Sequence, residues 1–556
     1  MEFDLDTFNK QLVSALDLFD KQAVNDLCDQ FIHSLYASPE PVPARTLEHL
    51  LQLLRDKRMF IPMQKLGDCF IALGLDTLKI RRQYAQALLD QGIYAAPLAI
   101  LRQIRDQAKN DPDPTAASEY AEATGLIGRI YKQLYVNAST PGTSGPAHLL
   151  RQAIQFYQET YLSNPEVHLW HGINLVALLQ RAQTDQIEQA DQIEQAALPE
   201  SLPIARAILS RIEDLYREHK ATVWDFATAC EACIALDQQE GSLSWLDKYI
   251  NCSLADAFEI GSTLRQLQEV WRLTMDTAFG RQLLPLLSAA LLKREGATLT
   301  ISTVDLEKHK SVADAHGKAF EHALSGDSFR TYQWYVRGLK ACSAVARVGW
   351  DTATAKGTGF LLDGGLLAEE HRGKTVLLTN AHVVSDDSIK NNGSLYAHQA
   401  VATLETVDKD LELKFAGIIK TSSIFELDTT VLEFDKAAQE TLQSFRDKDS
   451  VYAYSIAQKL PAADGKQRVY IIGHPRGGVL QISLQDNIFL SCNDQRMHYR
   501  TPTERGSSGS PVFNDNWEII GIHHAGGNSM RKLDDPHQLE AANEGIRIDA
   551  IRKLFT

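Results

Sequence analysis

The sequence predicts two architectures in series: an all-α array of helix pairs over residues 1–295 and an all-β domain over residues 343–556, joined by a connector at 296–342. Three observations predict this. From Thr7 to about Glu295, apolar residues recur at spacings of three and four, the period of a helix that buries one face. From Ala344 onward, short β-branched runs separated by Gly, Asp and Asn replace that period and read as the strands of a barrel or sandwich. The 556 residues also exceed what one core holds, at roughly 100–200 residues per domain.

Within the helical half, Leu47, Leu50, Leu51 and Leu54 form an apolar face, with Thr46 as the expected cap after the Pro-rich turn Ser38 to Pro43. The stretch Tyr84 to Leu101 reads as a hairpin of two helices, with small Ala residues where they approach and Gly92 at the turn. A second hairpin begins at Gly125, carries Gly128 and Tyr131, breaks at a loop from Asn137 to Pro146, and resumes with Ala153, Tyr157 and the closing Pro165. These offsets resemble tetratricopeptide repeats, and the resemblance implies a solenoid that binds a protein partner. The duplicated hexamer from Asp185 to Ala196 is polar and lacks an apolar stripe, so it is expected to be an exposed helical extension. In the connector, Thr298 to Ser302 is one short β-like run, and His309, His316 and His322 are expected on one polar helical face.

Composition excludes several function classes. The 56 Lys and Arg against 71 Asp and Glu give a charge of −15, which offers no general field for nucleic acid or anionic lipid. The apolar run Leu283 to Leu292 is interrupted by Pro285 and falls short of the roughly 20 residues of a membrane span. The start, Met1 to Asp6, is acidic where a secretory signal is basic, and the seven scattered cysteines are unlike a disulfide framework, so a cytoplasmic protein is expected. Cys230 and Cys233 have no second pair at ligand spacing, so no metal site and no cofactor is expected.

The chemistry concentrates in the β half. Gly506-Ser507-Ser508-Gly509-Ser510-Pro511 sets a hydroxyl in a tight turn whose Gly506 and Ser508 N–H groups can converge on a developing oxyanion. A serine nucleophile needs a histidine base, itself oriented by a carboxylate. His382 stands where the apolar run Val376 to Leu378 emerges into a turn, and Asp428 opens the apolar strand that follows it. The segment Tyr470 to Gly478 lacks phosphate-loop spacing and reads as a structural strand and turn.

His382, Asp428 and Ser508, in that order and 46 and 80 residues apart, together with the run at Gly357, resemble the trypsin-like serine peptidases of the chymotrypsin fold over about Ala344 to Gly527. The resemblance implies a double β-barrel, a Ser508–His382–Asp428 triad, an oxyanion hole at Gly506 and Ser508, and an extended polypeptide as substrate. It further implies that Ile519 to Gly527, including His523, His524 and Ala525, is the strand edge that meets substrate. The run from Gly506 through Gly527 is similar to bacterial glutamyl endopeptidases, which implies that His523 and Thr503 line the first specificity pocket and that Glu precedes the cut. Alternation along the strand allows only one of His523 and His524 to face that pocket. Pro502 offers no partner to Lys or Arg, and Ser507 cannot supply the Asp that pairs with a newly cut amino terminus in the digestive members. Control is therefore expected from the helical array, by substrate recruitment or by restraint until a partner binds. The competing expectation is a non-proteolytic peptide-binding scaffold built on the peptidase fold.

Overall fold

The computed structural model describes residues 4–17, 21–37, 42–109, 111–139, 145–185, 198–294, 308–309, 320, 323–324, 326–464, 467–483, 487–501, 506–535 and 537–556. Compactness divides the chain into two units, Met1–Ala290 with Glu321–Ser328, and Leu291–Phe320 with Phe329–Thr556.

The first unit is helical. Its described helices are α1 Leu5–Asp17, α2 Lys21–Ala37, α3 Ala44–Asp56, α4 Phe60–Ala72, α5 Leu78–Asp90, α6 Ala95–Ala108, α7 Pro114–Ala138, α8 Ala147–Ser163, α9 Leu169–Thr184, α10 Ser201–Arg217, α11 Val223–Ala235, α12 Gln239–Asn251, α13 Ala257–Arg265 and most of α14 Ala278–Leu292. Successive helices pack on one another, as stacked hairpins do. Leu47, Leu50, Leu51 and Leu54 are all buried on α3 in a cluster with Phe31, Leu66 and Phe70. Thr46 does not cap that helix: it lies inside the first turn and donates its N–H to Pro43 O, because Pro43 already fixes a backbone from which the helix can start at Ala44. Gly92, at φ +81°, makes the α5–α6 turn that L-side chains avoid. In the next hairpin a Cβ on Gly128 would stand 3.1 Å from the Tyr157 ring, and Tyr131 stacks on Phe156 at 5.7 Å, so a small residue sets how closely α7 and α8 approach.

The polar duplication was expected to be exposed, but its first residue is not. The Asp185 side chain is 2% exposed and pairs with Arg181 at 2.6 Å and Arg272 at 2.7 Å. A polar side chain joins a core when cations distant in sequence meet it there, and the local pattern carries no trace of Arg272. The remaining residues of the duplication lie outside the described residues, as do Thr298 to Ser302, His316 and His322. His309 is buried rather than on a polar face, its Nδ1 2.9 Å from the Tyr335 hydroxyl.

The second unit is β-rich. Helix α15 Gly326–Ala341 leads into β1 Val345–Gly349, β2 Ala355–Asp363, β3 Thr375–Thr379, β4 Val401–Thr403, β5 Leu413–Ser422 and β6 Thr429–Phe434. These strands close an antiparallel barrel in the order β1-β2-β3-β6-β5-β4. After α16 Lys436–Asp447 come β7 Tyr470–Gly473, β8 Gln481–Ser483, β9 Phe489–Cys492, β10 Arg496–Tyr499, β11 Pro511–Phe513, β12 Ile519–Arg531, β13 Leu539–Arg547 and the short α17 Ile548–Arg552. They form a seven-stranded antiparallel sheet, β8-β7-β11-β12-β13-β10-β9. Trp334 of α15 docks on this sheet, donating its indole N–H to Asp515 O while Trp517 donates to Trp334 O.

The strand expected at an edge, β12, lies inside the sheet. It pairs with β13 along most of its length and with β11 over Ile519 to Ile522, and Ser510 O accepts from His523 N–H. Three-residue β11 is too short to cover the rest, so the backbone from His524 to Gly527 has no strand on that side among the described residues.

Leu51→Ala, at a fully buried α3 position, should lower the stability of the helical unit by about 2–5 kcal/mol. Leu202→Ala, at a position 42% exposed, should change it by less than about 0.5 kcal/mol. Urea unfolding followed by far-ultraviolet circular dichroism reads both.

Candidate active site

Strand β3 is buried along its whole length and delivers the chain into the turn Asn380–Val384. Asn380 O closes that turn by accepting from the Val383 and Val384 N–H groups, both at 3.1 Å. The Asn380 side chain reaches across 48 positions to donate to Asp428 O at 2.8 Å, which ties the two loops together. Asp428 stands one residue before β6 and is 3% exposed, at φ +41°, held by its N–H bond to Ser423 O. Positive φ costs Asp less than most residues, since its short polar side chain bonds locally. The carboxylate accepts the His382 backbone N–H at 3.1 Å and lies 2.7 Å from His382 Nδ1. This pairing makes Nδ1 a donor and leaves Nε2, on the far side of a half-buried ring, free to act as base.

Ser508 is half-buried in a turn flanked by Gly506 at φ +95° and Gly509 at φ +89°. Thr358 on β2 is its anchor. Its N–H donates to Ser508 O at 2.8 Å, its hydroxyl donates to Gly506 O at 2.9 Å and accepts from His474 N–H at 3.0 Å, and its carbonyl accepts from Thr379 Oγ1. A Cβ on Gly509 would stand 1.9 Å from Thr358 O, so the turn lies as close to the barrel as backbone allows. Gly357 has Val383 on one side and Ser508 O on the other, at 2.6 and 3.0 Å from where its Cβ would be. The turns bearing His382 and Ser508 therefore meet over one glycine. Ser508 Oγ makes no hydrogen bond among the described residues, and the N–H groups of Gly506 and Ser508 are likewise untaken. Hydrogen bonds between a hydroxyl and a base are often long in ligand-free enzymes and tighten in the substrate complex. The Tyr470–Gly478 segment is structural and supports the same turn: a Cβ on Gly506 would lie 2.8 Å from Arg476 N, Gly477 N and His474 O.

The paired histidines part company. His523 is buried, 2.9 Å from the Tyr499 hydroxyl through Nδ1, and burial, with the neighbouring His524 and His382, pushes its pKa down to about 3, so it is neutral. His524 turns the other way: Nδ1 lies 3.1 Å from Asp428 Oδ2 and Nε2 2.7 Å from Glu544 Oε1. Ala525 is half-buried on the stretch of β12 that β11 leaves uncovered, and Thr503 lies outside the described residues.

Behind Asp428 the structure holds a charge network that sequence reasoning missed. Glu544 also faces His498 Nε2 at 3.0 Å and Arg496 at 3.1 Å, and His498 Nδ1 is 2.7 Å from Glu540. An imidazole with a carboxylate at each nitrogen donates from both and so is a cation. Burial alone would lower the pKa of His524 and His498, but these carboxylates raise both. Burial would raise Asp428, but the bonds from His382 and His524 lower it. Burial would likewise raise Glu544, which His498 and His524 bring down to about 2.

Residues 357–522 match the trypsin-like peptidase domain family, and residues 47–179 match the tetratricopeptide repeats-sensor family. The uncharacterized protein y4fB of Sinorhizobium fredii is 30% identical over 239 residues, covering 39% of this chain and 32% of that protein, so the match spans about a third of the relative. Among solved structures, the serine endoprotease from Yersinia pestis is 17% identical with a TM-score of 0.27, covering 40% of this chain and 64% of that one. The Rv3671c protease from M. tuberculosis in its active form is 14% identical with a TM-score of 0.25, covering 39% and 80%. The chain thus joins tetratricopeptide-type helical repeats to a trypsin-like peptidase domain.

The network sets a pH window for stability. Glu544 rises from about 2 folded to 4.5 unfolded, so its contribution is whole above pH 4.5 and is lost as pH falls toward 2. The raised pKa values of His498 and His524 contribute fully below their ordinary 6.5 and fade as pH rises past it. Glu544→Gln should therefore cost the second unit most between those limits, about 3 kcal/mol, and flatten the acid limb of its stability curve. Denaturant melts across pH check this.

Proposed function

We propose that the chain is a serine endopeptidase that hydrolyses polypeptides through an acyl-enzyme. Ser508 Oγ attacks the carbonyl carbon of the scissile bond. His382 Nε2 takes the hydroxyl proton and passes it to the leaving amine. Asp428 keeps Nδ1 protonated and stabilises the imidazolium. The free N–H groups of Gly506 and Ser508 receive the oxyanion, and water then cleaves the ester with His382 again as base. The observation that carries this reading is the buried Asp428 bonded at 2.7 Å to a His382 whose turn meets Ser508 over Gly357. Asp428 also holds His524, but a peptide-binding scaffold has no physical need for a second imidazole on that carboxylate with its Nε2 left open.

Substrate pairs as an added strand along His524 to Gly527, where β11 has ended. His523, neutral and beside the Tyr499 hydroxyl, is suited to a polar P1 side chain, with Glu preferred and Thr503 as its second contact. The helical repeats recruit a protein substrate or restrain the peptidase until a partner binds. We place the protein in the reducing bacterial cytoplasm: all seven cysteines are free thiols, and no described helix is long and apolar enough to cross a membrane.

A fluorophosphonate probe should label the wild type at Ser508 and leave Ser508→Ala unlabelled, while Asp428→Asn should cut the labelling rate by roughly 10⁴-fold with the fold intact. A folded wild type that stays unlabelled with partner-containing extract added would favour the scaffold. In a peptide library, cuts should follow Glu, and dominant cutting after Lys or Arg would reject the pocket assignment.

A further inference from the structure

Beside β12 the peptidase unit carries a polar cluster that the triad does not use. Strand register puts it on one face. His523 pairs with Gly545, and Gly526 with Asn543, across β12 and β13, and alternation along β13 sets Asn543 and Gly545 opposite to Glu544. Tyr499 of β10 joins the same face: a Cβ on Gly545 would stand 3.1 Å from its hydroxyl, which meets His523 Nδ1 at 2.9 Å. The Asp428 network therefore takes one side of β13 and this cluster the other.

Exposure falls inward from Gly526. That glycine is exposed and Asn543 is half-buried, whereas His523, Tyr499 and Thr501 are buried. A Cβ on Gly526 would lie 2.0 Å from Asn543 Oδ1, so the carboxamide rests against the strand at that point. Its Nδ2 donates to Thr501 O, on the segment that leads into the Ser508 turn. One side chain thus spans from β13, past Gly526, to the segment that carries the nucleophile, and it narrows the space between them. Thr501 Oγ1 is buried there with no hydrogen-bond partner among the described residues, a polar group of the kind that folding by itself rarely leaves unmet.

A substrate strand laid along His524 to Gly527, with its scissile carbonyl at Ser508, puts the P1 side chain between β12 and the segment leading to Ser508. Gly526 has no side chain to block that passage, so the first group met is the Asn543 carboxamide. It is held at both ends, by its own backbone and by Thr501 O, and does not yield to a wide group. A thin, unbranched chain passes beside it to reach His523 and Tyr499, whereas a ring does not.

We propose that Asn543 is a specificity-determining residue, whose carboxamide sets the width of the P1 pocket beside Gly526 and so restricts cleavage to unbranched polar side chains. The inference rests on the peptidase reading above and goes further by naming the group that sorts substrates. A mere bridge between β13 and the nucleophile segment would serve every substrate alike, which gives the two roles different signatures.

Peptides identical except for Glu, Phe or Lys before the cut test it, with kcat/KM measured for the full-length wild type, Asn543→Gly and Asn543→Asp, Ser508→Ala supplying the background. Fluorophosphonate labelling of Ser508 shows which preparations keep the fold and the triad. The wild type should favour Glu over Phe. Asn543→Gly should raise the Phe-to-Glu ratio by about tenfold or more, the scale on which a change of pocket shape discriminates. Asn543→Asp, nearly the same shape, should lower the Glu-to-Lys ratio by a similar factor through like charge at the mouth. The two variants ask the question independently, so a loss of folding in one leaves the other to decide. Ratios that stay put in a labelled variant, with all three peptides slowed together, would overturn the inference and leave the peptidase reading standing. A wild type that is never labelled would overturn both.

Discussion

A buried carboxylate is expensive unless donors surround it, and the active-site region is organised around meeting that requirement at Asp428. One oxygen receives the His382 N–H, and the other faces both His382 Nδ1 and His524 Nδ1. Burial works against a charge on His524, and its bond to Asp428 works for one. Glu544 supplies its second acceptor, and His498 and Arg496 keep Glu544 charged in turn. The chain of alternating charges ends at Glu540, which is closer to solvent. Each member is ionised because its neighbours are, so the network fixes the orientation of the carboxylate that fixes the imidazole.

The second constraint is steric. Thr358 connects the barrel to the nucleophile turn with its N–H and hydroxyl, and to the end of β3 with its carbonyl. Such contacts demand that backbones touch, which is why Gly357 and Gly509 have no room for a side chain. The hydroxyl of Ser508 is positioned by this packing alone, without a bond of its own among the described residues, and so stays free to rotate.

What was legible in the sequence were features with a local period or a fixed spacing. The Leu faces of α3, the Gly92 turn and the glycine-rich turn at Ser508 each declare themselves within a few residues. His382 and Asp428 were readable because each sits at the end of an apolar run. Partnerships made across the fold were not readable. Asp185 looked solvated because Arg272 is 87 positions away, and His309 looked surface-bound because Tyr335 is 26 away. Glu544 gave no signal, since nothing in an alternating β strand marks which polar residue a distant histidine will meet. The interior place of β12 was hidden because strand order depends on pairing, whereas the open stretch past Ile522 follows from the shortness of β11.

Buried charge is met in two ways among the described residues, by a counter-charge or by neutral oxygens. In the peptidase domain every buried ion of the Asp428 network has its counter-charge within about 3 Å, so the cluster is closed and asks for nothing more. In the helical unit, Asp185 with Arg181 and Arg272 is closed in the same sense. Lys132 is the contrast: a buried ammonium that neutral oxygens attend. Folding alone would favour replacing such groups or pairing them, because an uncompensated charge removed from water costs several kcal/mol or more.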